Sequence, residues 1–163
     1  MDIKELVING LLKEVDVQKP PDDVINAGNT RFVVELTLKN GPQRMRAGYC
    51  QSNSICVVAE MRDKGEDNWG IVPGFAYNTE KEDPIVHVWV KKGSLHYDPT
   101  WSLDCFNYNP EDCTYYQVVQ NIETTQWKQE KLTRIGIVQW GKDILNEINV
   151  LASKWKLKVA IAD

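Results

Sequence analysis

The segment from Val86 to Asp98 commits the chain to a two-faced β-sheet. Val86, Val88 and Val90 alternate with His87, Trp89 and Lys91. Strand side chains point to opposite faces in turn, so one face is plain valine and the other carries an imidazole and an indole. Lys91-Lys92-Gly93-Ser94 follows, a hairpin-turn composition in which glycine supplies a positive φ. Leu95 to Asp98 is then the returning strand, with His96 and Asp98 on one face. With Lys92 and Gly93 at the tip, Lys91 pairs with Ser94, and His87 lies directly opposite Asp98. Cross-strand neighbours have Cβ atoms roughly 4.5 to 5.5 Å apart, within reach of an imidazole–carboxylate hydrogen bond. A one-residue slip in the pairing would break this alignment.

The remaining pattern supplies helices to cover such a sheet. Ile3, Val7, Leu11 and Val15 recur at four-residue steps and predict an amphipathic helix over residues 3–15, ended by Pro20-Pro21. Phe32 to Leu38 reads as a strand and Asn40-Gly41-Pro42 as a loop. A helix is expected from Cys50 to Asp63, with Ile55, Val58 and Ala59 on one face and Gly65 as its stop. Gly70 to Tyr77, Thr114 to Val119 and Ile135 to Trp140 read as further strands, and Asn107 to Asp112 as a polar loop. From Asp143 onward Ile144, Ile148, Leu151 and Trp155 repeat at helical spacing. No repeat, low-complexity tract or linker divides the sequence, so residues 1–163 are expected to form one α+β domain.

Charge and apolar run length narrow the function classes. Nineteen basic against twenty-three acidic residues leave a formal charge of −4, which argues against a broad phosphate-binding surface and so against nucleic acid as a partner. The longest apolar run, Ile55 to Ala59, has five residues, far short of the roughly 20 needed to span a bilayer. Met1-Asp2-Ile3-Lys4-Glu5-Leu6 mixes both charges at once and lacks the apolar core of a secretory signal, so a reducing cytoplasm is the expected location. The four cysteines, at 50, 56, 105 and 113, contain no CxxC pair, and only His87 and His96 are available to supplement them. Neither a disulfide framework nor a zinc site is expected, and nothing calls for a metal or an organic cofactor.

Cys50 stands two residues after Gly48, where a loop enters the predicted helix. Helix-end amides and the positive end of the dipole would favour its thiolate there. Together with His87 and Asp98 it supplies what nucleophilic acyl transfer requires: a thiol, a base for its proton, and a carboxylate that fixes the base's tautomer. The order Cys50, His87 in His-Val-Trp, and Asp98 in Tyr-Asp-Pro-Thr-Trp, with gaps of 37 and 11 residues, resembles the transglutaminase-like core of the papain-like cysteine enzymes. The resemblance covers roughly residues 44 to 101. It implies a helix-borne cysteine packed on an antiparallel sheet, with histidine and aspartate on neighbouring strands. The stretch from Arg46 to Ser54 is also similar to the Arg-Gly-Gly-x-Cys-x-Glu-x-Asn stretch of arylamine N-acetyltransferases, departing from it at Ala47, Ser52 and Ser54.

The expected activity is therefore cysteine-based acyl transfer on a protein or peptide amide. An acyl-CoA-dependent N-acetyltransferase and a non-catalytic protein-binding module on the same fold are the alternatives. The Cys50 backbone amide is one oxyanion donor, and Gln43 is a second candidate, since papain-like enzymes often place a glutamine slightly before the nucleophile. Trp89 shares the His87 face and is a candidate cleft wall, and Trp101 is a candidate cover. His96 is the rival base. Cys56, about 120° around a helix from Cys50, is expected to be packed, and Cys105 and Cys113 have no nearby base. The oligomeric state is left open.

Overall fold

In a computed structural model of the chain, the structure describes residues 1–30, 50–78, 83–102, 109–119 and 134–160. The long N-terminal helix is cut short. Helix α1 spans only Ile3–Ile8, with Asp2 Oδ1 accepting the Glu5 N–H at 2.9 Å as its cap. Gly10, at φ 74°, ends it: the Gly10 N–H donates to Val7 O and the Leu11 N–H to Leu6 O, the paired bonds of a Schellman stop. Beyond this stop the apolar residues at 12 and 15 belong to strand β1, Leu12–Val15, which β2, Val17–Gln18, follows after one residue. Pro20-Pro21 does not terminate the first helix but leads into another. In α2, Asp22–Thr30, Pro21 O accepts the Val24 and Ile25 N–H groups and Asp22 and Asp23 sit at the positive helix end.

Helix α3 runs from Cys50 to Asp63, the limits its sequence predicts. It is buried continuously from Ser52 to Ala59, as a helix enclosed on all sides must be, and it packs on α2 and on the sheet. Strands β3, Trp69–Tyr77, β4, Ile85–Lys92, and β5, Leu95–Tyr97, come next. A 3₁₀ turn at Pro110–Asp112 occupies part of the predicted loop and precedes β6, Thr114–Val118. Helix α4, Arg134–Lys154, closes the fold. Its first two turns include Ile135 to Trp140, which β-branched content alone marks as a strand. The three- and four-residue spacing of Ile144, Ile148 and Leu151 runs back through Trp140 and Ile137, and helix propagation overrides local propensity. The strand expected at 32–38, the loop at 40–42, Gln43, the stretch from Arg46 to Tyr49, and Cys105 lie outside the described residues.

The six strands form one sheet in the order β1-β6-β3-β4-β5-β2, antiparallel except for the β2–β5 pair. β1 and β2 lie at opposite edges although only Asp16 separates them in sequence, so the sheet must curl until its edges approach. Each face then has its own core. Val86, Val88 and Val90 join Ile71, Phe75 and the inner residues of α3 and α4 on the outer, helix-covered face. Val72, Ala76, Ile85, Trp89 and Tyr115 join Val17 and Trp101 in a smaller aromatic core on the other. The valine and histidine faces of β4 are thus separated as the two-residue alternation requires. No helix among the described residues is long and apolar enough to cross a membrane.

The end of α4 repeats the Schellman geometry, with the Leu157 N–H donating to Ala152 O and the Lys156 N–H to Ser153 O. Here the left-handed position is filled by the exposed Lys156, at φ 53°, where a Cβ is strained. Lys156→Gly is expected to raise stability by about 0.5–1 kcal/mol, read as a higher urea midpoint with an unchanged slope.

Candidate active site

The β4–β5 hairpin turns one residue later than its composition predicts. Gly93, at φ 60°, and Ser94 form the tip, so positive φ falls on the first of two turn residues, the position a type II′ turn reserves for glycine. Val90 pairs with Tyr97, Lys91 with His96 and Lys92 with Leu95. His87 is therefore not directly opposite Asp98, which lies just past the end of β5. The change slides the two strands by two residues, and a slip of two restores every side chain to its original face. The diagonal contact is still made: His87 Nε2 lies 2.8 Å from Asp98 Oδ2, with both side chains almost wholly withdrawn from solvent.

Asp98 satisfies both of its oxygens. Oδ1 accepts the Thr100 and Trp101 backbone N–H groups at 3.0 and 3.2 Å, the local turn that an aspartate before proline tends to form. Oδ2 accepts His87 and, at 2.6 Å, the Tyr115 hydroxyl. One carboxylate thus shapes its own loop and binds the histidine. Trp101, the candidate cover of the cleft, stacks on the imidazole with ring centroids 4.3 Å apart at 25°. Trp89 sits deeper than a cleft wall would. It is fully buried, packs edge-on against Tyr115 and donates its indole N–H to His96 Nδ1 at 2.9 Å.

Cys50 opens α3 at the edge of this cluster, half-buried, with its thiol donating to Gln51 Oε1 at 3.7 Å. Its charge bears on the His87 imidazole. Because Asp98 engages Nε2, Nδ1 is the nitrogen left for the thiol. Two consecutive residues of α3 hold that helix in place. Ser54 Oγ donates to Val88 O on β4 at 3.2 Å, and Asn53 Nδ2 donates to Thr100 Oγ1 in the Asp98 loop at 3.0 Å. Burial alone would push the His87 value down. The charges of Asp98 and then Cys50, with hydrogen bonds to both, outweigh it and push the imidazole up to about 10.

The rival base has the opposite environment. Burial, then the nearby Lys91 and Lys13, push His96 down to about 4, and an Nδ1 that accepts from Trp89 places the proton of the neutral ring on Nε2. Cys56 is buried within α3. Cys113 donates to Asn109 O, and burial, followed by Asp98 and Asp112, pushes its thiol up to about 12. Tyr115 carries no motif, and although Thr100 belongs to the Asp-Pro-Thr stretch and Asn53 and Ser54 to the stretch around Cys50, neither motif names their hydrogen-bond partners. Only the aspartate–proline turn signal points towards Thr100, and the partners of the others are set by strand order and helix docking. Comparison of the chain with protein-family models, curated proteins and solved structures finds no match in any of the three.

The elevated imidazole has a measurable consequence. In the folded protein His87 should keep its proton through neutral pH and release it near pH 10, against an ordinary value of 6.5, as followed by ¹⁵N NMR of labelled histidine. Asp98→Asn should move that release downward. Since the folded value lies above the unfolded one, the stabilisation from this charge is complete below about pH 6.5 and disappears as pH rises through about 10.

Proposed function

We propose that the chain is a cysteine-nucleophile acyl-transfer enzyme acting on a protein or peptide amide, built on a papain-like, transglutaminase-core arrangement. The observation that carries the reading is the buried His87–Asp98 pair at 2.8 Å, together with the Cys50 thiol at the start of α3, whose charge acts on the same imidazole. A cation beside a thiol is the condition under which a cysteine reacts below its ordinary range. The half-buried thiol at the start of a helix is also reachable from outside, while the two groups that serve it are buried.

In this mechanism the Cys50 thiolate attacks the amide carbonyl carbon, forming a C–S bond as the carbonyl π pair moves to oxygen. The Cys50 N–H is one donor for that oxyanion, because the first amides of a helix have no acceptor inside it. Gln43 remains the candidate side-chain donor. When the intermediate collapses, the C–N bond breaks and the leaving amine takes its proton from His87. The neutral imidazole then accepts a proton from water or from a second amine as that nucleophile attacks the thioester, and Cys50 departs as thiolate. Asp98 keeps His87 oriented throughout and stabilises its cationic form. Trp101, stacked on the ring, shields the His87–Asp98 bond from water.

Iodoacetamide labelling across pH, followed by peptide mass mapping, tests the reading. Cys50 should be alkylated selectively in wild type, while Cys113, pushed up to about 12, stays unlabelled. In His87→Ala, labelling of Cys50 should be markedly slower; labelling that ignores His87 would count against catalysis. On peptide amides, Cys50→Ala and His87→Ala should abolish turnover, and Asp98→Asn should lower it by about a thousand-fold or more.

A further inference from the structure

Asp98 Oδ2 has two donors, and the closer one is not the histidine. Tyr115 Oη lies at 2.6 Å and His87 Nε2 at 2.8 Å. The tyrosine comes from β6, which is separated from β4 by β3, so it reaches the carboxylate across an intervening strand. β3 permits this because its residues on that face are small. Tyr115 pairs with Ala76 and His87 pairs with Gly74, and a Cβ at Gly74 would collide with Tyr116 O and stand 2.7 Å from the Trp89 ring. The tyrosine ring is fixed by Trp89, with centroids 5.1 Å apart at 68°, and by Trp101, at 5.6 Å.

Packing explains the ring but not the hydroxyl. A phenylalanine would fill the same space without a polar atom to satisfy, whereas the buried phenol is aimed at the oxygen that His87 also uses. Hydrogen bonds to a carboxylate favour its charged form and weaken its hold on any one donor. The groups facing His87 are Asp98 from the loop after β5, Cys50 from α3 and Tyr115 from β6, and the Cys113 thiol feels the charge of Asp98. A carboxylate reserved for His87 alone would stabilise the imidazolium more strongly through Nε2, so that the proton on Nδ1, the one acyl transfer must give to the leaving amine, would be harder to release.

We propose that Tyr115 is a positioning residue: by sharing Asp98 Oδ2 with His87, it fixes the carboxylate's orientation and limits how strongly that carboxylate stabilises the protonated ring. Its catalytic meaning rests on the acyl-transfer reading, but its effect on His87 does not. The test is the proton resonance of His87 Nε2–H, with the ring's titration, in ¹⁵N-histidine-labelled wild type, in Tyr115→Phe, and with 3-fluorotyrosine placed at position 115.

Tyr115→Phe should move the resonance downfield and the titration upward, because Oδ2 then serves His87 alone. The fluorinated ring keeps the hydroxyl and the packing but donates more strongly, so it should move both the other way. That arm also keeps the proposal testable if the phenylalanine variant does not fold. A resonance and titration unchanged in a folded variant of either kind would reduce Tyr115 to packing and overturn the proposal. Shifts in the expected directions in a protein whose Cys50 alkylation ignores His87 would uphold the Tyr115 effect while removing the enzymatic reading.

Discussion

A carboxylate withdrawn from water needs donors for both oxygens, and Asp98 draws them from three parts of the chain. Its own loop gives two backbone N–H groups, β4 gives an imidazole, and β6 gives a phenol. Truncating it would leave several buried donors without their acceptor at once, which is costlier than losing one hydrogen bond. The same loop is tied through Thr100 to Asn53 of α3, so the position of the cysteine-bearing helix also depends on this carboxylate. Fold and candidate site are held by one network, and a variant at Asp98 acts on both.

The site lies in the smaller of the two cores. A flat sheet with helices on one face would leave His87, Trp89 and Tyr115 in water on the other. The curl that brings β1 and β2 together across a single residue, with Val17 and Trp101 closing over the aromatic rings, makes that second face an interior. Aromatic groups of this size need room, and β3 provides it with the small Ala76 and with Gly74, where a Cβ would collide. The larger core, with its valines, leucines and isoleucines from four helices and the sheet, supplies most of the apolar burial. The smaller one holds a charged pair in surroundings where electrostatic interactions are strong.

Local chemistry was legible in the sequence, and distant pairing was not. The limits of α3, the presence of β3 to β6, and the opposite facing of Val88 and His87 follow from glycine positions and from periodicity alone. The hairpin register missed by two residues because composition does not say which turn position glycine will take, yet the shared face survived since parity did. Residues 3 to 15 read as one helix because a four-residue repeat continues through Gly10, where a single positive φ ends it. Ile135 to Trp140 read as a strand because β-branched residues dominate a short window, whereas the helix is sustained from the C-terminal side. Tyr115 could not be found from spacing. Its partner is 17 residues away and becomes a neighbour only when β6 docks beside β3.

The two histidines show how little of their chemistry belongs to the residue type. Both sit on one hairpin, both are buried, and both flank Trp89. His87 meets a carboxylate and rises to about 10, while His96 meets two lysines and an indole N–H and falls to about 4. The indole favours the neutral ring too: its N–H needs an acceptor, and only an unprotonated Nδ1 can be one. Protonating His96 would therefore leave a buried donor facing a cation, so its ring is held neutral as part of the packing of Trp89. That leaves His87 as the histidine with a charge to exchange, and it is the one placed beside the thiol.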